Sequence, residues 1–544
     1  MRNYLSAFLQ IPALLLLLTS AASAQQNQGP LHVRIAWDYS SMQQLADMGG
    51  YPRLIRLKDS TLLVIYETRR GSVDLKRSVD NGRSWSSPVE VFSPFVYTSL
   101  NGKSTVVNIS NPEIKQLQNG DIVIACNYRP QKQEVAPYSI VVRRSVDRAH
   151  TWLQPQSLYS SAPRFGDGCW EPAFLQLPTG ELQVYFANEN PYQNSDEQEI
   201  SMISSNDNGA TWSSPVKTVS FRKGRRDGMP VPIITKDDIV VAVEDNKTGQ
   251  FKPYTVRTPL SQNWKEPVLA NSPDRTYALD QSVADTIYMG APYLLKLPNG
   301  QTLLSYQTNE KRMHDWELST MEVAIGNEEA KNFGRRSRPF EVPLNKEAKW
   351  NSLSLWDSRT VVALTSSNFR SPWVAPWLLK GYLISDLKLS DSPTLDHCLF
   401  IGSKGEDHLD AGLTLSKDSV FIECQVEAST ETLRSGSPGV FLFWKSNHQL
   451  YKLWTSKRGK WVLQVKKQRK WVKSSVAPLA VEVEPAPQGY RIRYKIPTRF
   501  LGKESSSAFH LGLALSACRE GKEYVEYLAD MKEDDPQTWL KVLW

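Results

Sequence analysis

The chain repeats one hydrophobic pattern six times. A short apolar run, a polar turn and a second apolar run recur at near-constant spacing. The runs open at Pro52-Arg53-Leu54-Ile55, Pro112-Glu113-Ile114, Pro172-Ala173-Phe174-Leu175, Pro230-Val231-Pro232-Ile233, Pro292-Tyr293-Leu294-Leu295 and Trp350-Asn351-Ser352-Leu353. Polar turns such as Lys58-Asp59-Ser60, Gln118-Asn119-Gly120 and Pro298-Asn299-Gly300 follow, and then second runs such as Leu62-Leu63-Val64-Ile65-Tyr66. These are hairpins, not helices. Hairpin repeats of this length predict an all-β fold, a six-bladed β-propeller with one four-stranded blade per repeat.

The outer half of a blade is clearest in the first three repeats. Strands there lead into Ser78-Val79-Asp80-Asn81-Gly82-Arg83-Ser84-Trp85, Ser145-Val146-Asp147-Arg148-Ala149-His150-Thr151-Trp152 and Ser205-Asn206-Asp207-Asn208-Gly209-Ala210-Thr211-Trp212. The Asp side chain accepts hydrogen bonds from its own turn, and Gly supplies a positive φ. Ala149 stands where the other two copies have Gly. A ring must also close. The run His32-Val33-Arg34-Ile35-Ala36 is the expected closing strand, completing the last blade beside residues 377–384. Past Ile384 the pattern changes to short alternating strands, among them Ser419–Val426, Gly439–Trp444, Tyr490–Pro497 and Phe509–Leu515, which predict a β-sandwich. The expected organisation is a leader at 1–24, a propeller at 25–384 and a sandwich at 385–544.

The leader follows from Arg2, the apolar Leu14–Leu18 and the small residues Ala22-Ser23-Ala24, with cleavage expected after Ala24. Export to the periplasm or the medium follows, with no membrane span in the rest of the chain. The 544 residues include 17 Trp and 21 Tyr, which suit both a β-rich core and stacking on sugar rings. The net charge of +7 is dispersed, with no arginine–aromatic array of the kind that binds nucleic acid. Five cysteines lack a Cys-x-x-Cys pair, so a zinc site is not expected. Two of Cys398, Cys424 and Cys518 form a disulfide, or all remain buried thiols. No cofactor or metal is called for, and a monomer is the expectation.

A ring of blades has one axis. The innermost strand of each blade starts on one face, here called the top, and the second strand returns to it. Residues before the repeat openings are Tyr51, Asn111, Glu171, Met229, Ala291 and Lys349; those closing second strands are Tyr66, Cys126, Phe186, Glu244, Tyr306 and Leu364. Glu171 and Glu244 are the two acids among them. Two carboxylates across a pocket equip a site for glycoside hydrolysis: one protonates the leaving oxygen, the other attacks the anomeric carbon or activates water. The bland alternative is an ion pair with Arg164, Arg225 or Arg226. Arg53, Asn111, Asp167, Trp170, Arg226, Asp227, Tyr288 and Tyr293 are further rim candidates for substrate binding. Trp170 is read as a wall beside Glu171, and Asp227 as an orienting partner for Arg226 or a sugar hydroxyl.

The three turns resemble the Asp-box of sialidases and related propellers, which is a mark of fold rather than chemistry. Gly50-Tyr51-Pro52-Arg53-Leu54, Cys169-Trp170-Glu171-Pro172-Ala173-Phe174, Arg226-Asp227-Gly228-Met229-Pro230 with Val241-Ala242-Val243-Glu244, and Gly290-Ala291-Pro292-Tyr293-Leu294 resemble the blade openings of glycoside hydrolase family 93. That resemblance implies an exo-acting, retaining α-1,5-L-arabinanase with Glu171 as acid/base and Glu244 as nucleophile, acting on arabinan or a related plant polysaccharide. The C-terminal strands resemble a family 9 carbohydrate-binding module. Trp444, Trp454, Trp461 and Trp471 are its candidate stacking residues, with Trp461, inside a strand, assigned to the core. Two other functions compete. A sialidase-type hydrolase would use Tyr288 or Tyr306 as nucleophile and draw an arginine clamp from Arg53, Arg69, Arg70, Arg129 and Arg226, although Pro52 precedes Arg53 where sialidases place Arg first. A non-catalytic glycan-binding propeller would use both glutamates as hydrogen-bond acceptors.

Overall fold

The computed structural model describes residues 33–389, 394–402, 407–435, 439–446, 449–474, 479–503 and 507–544. The expected leader and His32 lie outside them. Six antiparallel sheets follow one another along the chain, their strands running outward in chain order except for an added strand in blade 2 and a borrowed outer strand in blade 6. Blade 3 is representative: Cys169–Gln176, Leu182–Asn188, Glu199–Ser205 and Lys217–Ser220. Every residue of Leu182–Asn188 is buried, because a middle strand has another sheet against each face. Val184 and Phe186 on one face and Tyr185 on the other join a single core with Val123 and Ala125 of blade 2 and Val241 and Val243 of blade 4, Phe186 meeting Tyr159 and Tyr185 meeting Trp264. That is why the second runs read as continuous apolar stretches instead of alternating ones.

Blade 2 has a fifth strand. Phe95–Thr98 pairs with Ser104–Gln116, whose first residues run beyond the point where the other innermost strands begin. Each Ser-x-Asp turn is tied as expected: in the first, Ser84 N–H donates to Asp80 Oδ1 at 3.0 Å and Gly82 N–H to Ser78 Oγ at 2.9 Å. Ala149 takes φ 65° in place of glycine, and its N–H still reaches Ser145 Oγ at 2.8 Å.

The ring closes as the pattern predicted. Val33–Gln44 is the outer strand of blade 6, pairing Val33 with Ser385, Arg34 with Ile384 and Trp37 with Gly381. The first strand of the chain and the last of the ring therefore share one sheet. The sandwich reinforces this join. Arg34 is buried, and its guanidinium donates to the carbonyls of Thr538 and Trp539.

The sandwich stacks a sheet containing Gly439–Ser446 and Ala508–Arg519 on one containing Ser419–Glu427 and Gly489–Pro497. Trp444 is core, stacked on Tyr451 at 5.1 Å. Trp461 overturns its core assignment: it opens its strand at a hairpin and is 38% exposed. All five cysteines are free thiols, four of them buried. Among the described residues no helix is long and apolar enough to cross a membrane.

Deleting Val33–Asp38 removes six rungs of the closing ladder and should abolish cooperative unfolding at the wild-type midpoint, read by circular dichroism. A deletion protein that melts like the parent refutes closure by this strand.

Candidate active site at the hub

At the top of every innermost strand the ladder slips: between Gly50 and Arg53, Ser110 and Glu113, Trp170 and Ala173, Gly228 and Val231, Gly290 and Tyr293, and Lys349 and Ser352. One residue in each slip is left-handed. These are Tyr51, Asn111, Glu171, Met229, Ala291 and Trp350, with φ from 48° to 56°. L-residues avoid this region because Cβ crowds the following carbonyl, so six equivalent cases mark a built feature. Proline follows in five blades and Asn351 in the sixth. A residue before proline is already barred from the right-handed helical region. The bulge swings its side chain from the sheet toward the axis, where Tyr51, Met229, Ala291 and Trp350 pack together.

Five of the six bulges are pinned through their N–H groups by the preceding blade. Tyr51 donates to Ser366 Oγ (2.8 Å), Asn111 to Glu67 Oε2 (3.2 Å), Glu171 to Asn127 Oδ1 (2.8 Å), Ala291 to Glu244 Oε2 (2.7 Å) and Trp350 to Gln307 Oε1 (2.8 Å). In blade 3 the equivalent position is Ala187, which has no acceptor to offer.

This corrects the alignment made from sequence. The ladders pair Gly50 with Glu67, Ser110 with Asn127, Trp170 with Ala187, Gly228 with Glu244, Gly290 with Gln307 and Lys349 with Ser366. The true counterparts of Glu244 are thus Glu67, Asn127, Ala187, Gln307 and Ser366, and the hub residue of blade 6 is Trp350, not Lys349. Blade 4 misleads because its hairpin is one residue tighter. Thr235 N–H bonds Asp238 O, whereas Leu57 N–H bonds Thr61 O. With a side-chain period of two, one residue of slip moves a side chain to the other face.

Glu171 and Glu244 stand in adjacent blades, both half-buried and neither in an ion pair. Burial pushes Glu171 up to about 8, and the charges of Glu244 and Glu189 add to it against Arg129 and Arg226. Burial raises Glu244 to about 7, opposed by the Ala291 N–H and by Arg226. The Glu244 carboxylate sits between two glycines. A Cβ on Gly228 would come 3.0 Å from Oε1, and one on Gly290 would lie 2.6 Å from Oε2 and 2.3 Å from the Tyr288 hydroxyl. Tyr288 and Glu244 thus converge over Gly290. Gln307 donates to the phenol oxygen at 2.9 Å, and burial and the Glu244 charge hold the phenol neutral.

The arginines of the bland alternative are engaged elsewhere. Arg164 pairs with Asp167, Arg225 donates to Lys247 O, and Arg226 bridges Glu189 and Asp196. Of the rim candidates, Asn111, Arg226 and Tyr288 border the hub. Arg53 does not reach the rim. It is buried, bonded to Glu113 at 3.0 Å and packed on the rings of Tyr51 and Tyr293, which fixes Tyr293 as well. Trp170 is buried against Tyr138 and Phe165, a support behind Glu171 and not an open wall. Asp167 is also buried. Asp227 does not orient Arg226. It is fully buried and takes two bonds from Arg275, at 2.6 and 2.8 Å, while Arg275 and Arg222 also hold Asp245. This quartet fixes the rung next to Gly228–Glu244. Glu67, Glu189, Asn127 and three of the quartet, Asp245, Arg222 and Arg275, went unread in the sequence. Only the correct hairpin register would have drawn attention to Glu67 and Asn127, and nothing local marks the others.

A family described as BNR repeat-like domain matches residues 124–242, which include two of the Ser-x-Asp turns and Glu171. No curated protein matches the chain. Among solved structures it is similar to a protein of unknown function from Dyadobacter fermentans (14% identity, 63% of this chain and 99% of that one, TM-score 0.46). It is also similar to the GH93 α-L-arabinofuranosidase of Fusarium graminearum with arabinobiose (16%, 64% and 98%, 0.45). A Hadza microbial sialidase is similar too (14%, 61% and 65%, 0.43). The fold is a six-bladed propeller, and the segment 124–242 is similar to the BNR repeat-like domain.

Arg275→Ala would leave two buried carboxylates without their shared cation. The expected loss is about 3–5 kcal/mol, read by denaturant unfolding. A loss under about 1 kcal/mol would show that the quartet does not hold this rung.

Proposed function

We propose that the chain is a glycoside hydrolase in which Glu171 protonates the leaving oxygen and Glu244 attacks the anomeric carbon. The observation that carries this reading is the graded pair of carboxyls at the hub. Glu171 is the more strongly raised and Glu244 is anchored by a backbone N–H, which is the division of labour the chemistry requires. Arabinan or a related neutral plant polysaccharide is the substrate class that the blade openings imply, with attack at a chain end and retention of configuration. Export and a glycan-holding role for the sandwich belong to the same proposal.

The juxtaposition of Tyr288 with Glu244 favours a second reading, a sialidase-type tyrosine nucleophile. Against it, three of the five candidate clamp arginines already hold a carboxylate. Arg53 is committed to Glu113, Arg70 to Asp74 and Arg226 to Glu189 and Asp196. Tyr306 is fully buried and bonded to Glu322. Parallel assays on linear arabinan and on sialosides separate the two. Binding of either glycan without product release would favour a recognition disc.

Glutamine is the informative substitution at 244, because Gln307 makes the same amide cap in blade 5. Glu244→Gln keeps the pin and removes the nucleophile. Glu171→Gln should lower kcat about 10²–10⁴-fold, less for an aryl glycoside whose leaving group needs no proton. Near-normal turnover in either variant rejects the assignment.

The pH profile follows with its sign. Activity needs Glu244 ionised and Glu171 protonated, so kcat/KM should rise through about 7 and fall through about 8, as apparent values of the pair. Glu171→Gln should erase the alkaline limb. Stability moves oppositely to the usual carboxylate. Between the ordinary pKa and these raised ones the folded state holds more protons than the unfolded, so stability falls as pH climbs. Glu171→Gln should therefore melt higher than the parent above pH 8, by calorimetry. An unchanged midpoint there would mean that Glu171 titrates normally.

A further inference from the structure

The fold corrects one expectation about charge: the net +7 is not dispersed. Between Glu431 and Glu482 the sequence carries no acid, while ten lysines and arginines fall between Lys445 and Lys473, more than the whole net charge. The sandwich gathers most of them on three successive strands, Gln449–Ser456, Trp461–Lys467 and Lys470–Lys473, and the last of these is the free edge of its sheet.

The register lays this face out in rows. Lys452, Gln464 and Lys473 stand abreast on neighbouring strands, and Lys466 stands beside Trp471 in the next row. Phe441 and Trp454 form the row on the other side of Lys452. Residues two apart on a strand share a face, so cations and aromatic rings alternate on the side turned away from buried Leu453 and Leu463. The contacts agree, with the Lys452 ammonium 4.7 Å from the Phe441 ring and that of Lys466 5.6 Å from the Trp471 ring.

Two acids from a later loop answer part of this charge: Glu533 holds Lys452, and Asp534 holds Lys466. Among the described residues Arg458, Lys460, Lys467, Arg469, Lys470 and Lys473 form no ion pair, and all six are exposed. Trp461 and Val472 are exposed among them. Lysines on an edge strand ward off pairing with another sheet, which accounts for Lys470 and Lys473. It does not account for Arg458, Lys460, Lys467 and Arg469, which lie at the turns. Like charges packed this closely repel one another until a counter-charge arrives.

A polymer bearing a negative charge on successive units supplies that counter-charge, and the interleaved rings offer apolar faces to sugar C–H groups. Lysines outnumber arginines by eight to two between Lys445 and Lys473. The face thus presents point charges more than the planar forks that grip phosphate, which favours a carboxylated glycan over a nucleic acid. We propose that this basic face of the sandwich binds a polyuronate, a polysaccharide with a carboxylate on successive sugars. The choice of a carbohydrate rests on the hydrolase reading above, whereas the charge pattern stands without it. On a polymer whose neutral branches spring from an acidic backbone, the sandwich holds the backbone and the hub takes a branch.

Arg469→Gln, Lys470→Gln and Lys473→Gln are combined in one variant, since all three side chains are exposed and their loss opens no core. Calorimetric titration of de-esterified polygalacturonate into the wild type should show binding that weakens between about 0.05 M and about 0.5 M salt. At the lower salt the triple variant should bind about tenfold or more weakly. Methyl-esterified polygalacturonate, the same chain without its charges, should also bind the wild type about tenfold or more weakly. No binding by the wild type, affinity indifferent to salt, or equal affinity in the two proteins or for the two chains overturns the proposal. Tighter binding of a single-stranded oligonucleotide of equal charge overturns it as well, because the face is then a nucleic-acid site. Cleavage of linear α-1,5-arabinotriose by the wild type tests the hydrolase reading separately: its absence rejects that reading for this substrate, and the titrations still decide the face.

Discussion

The hydrogen bond from a bulge amide to a side chain of the preceding blade is the interaction on which the hub depends. The left-handed residue at each bulge is strained, and it persists because its neighbours over-determine it. The bond crosses from one sheet to the next, so it fixes the angle between blades as well as the backbone of one. Five such bonds ring the axis, contributed by Ser366, Glu67, Asn127, Glu244 and Gln307. The bulge, bonded in five blades and unbonded at Met229, turns hub side chains inward, which is how a repeat built for packing collects chemistry at its centre.

Glu244 therefore does two jobs. One oxygen accepts the Ala291 N–H, and the carboxylate sits against two glycines that leave it space. A carboxylate in such surroundings resists ionisation, and the single N–H bond and the Arg226 field offset only part of that. Glu171 has its N–H capped but its carboxyl unpaired, and burial, helped by the neighbouring charges of Glu244 and Glu189, keeps its proton on. The difference between the two acids arises from which end of each residue the hub uses. Behind them, Arg275 and Arg222 hold Asp227 and Asp245 in a buried cluster, so the rung that positions Glu244 has little freedom.

Much of this was legible in the chain. Repeated hairpins gave the ring, Asp80, Asp147 and Asp207 marked the outer turns, Val33–Ala36 was recognisable as the closing strand, and Glu171 and Glu244 stood out by charge. The equivalences between blades were less secure. A hairpin in blade 4 that is one residue tighter hid the kinship of Glu244 with Glu67, and blade 6, lacking proline after its bulge, hid Trp350 behind Lys349. Arg53 and Asp227 read as rim residues because they neighbour the repeat openings, yet both turn into buried pairs with Glu113 and Arg275.

By itself the sequence determined the elements and their order, because strand periodicity, turn residues and prolines act over a few positions and need no partner from afar. Only the tertiary structure decided which side chains meet. Whether a carboxylate faces the axis, caps an amide or pairs with an arginine depends on one residue of register and on which blade lies next to it. Both are settled by contacts between segments far apart in the chain, and local pattern carries no trace of them.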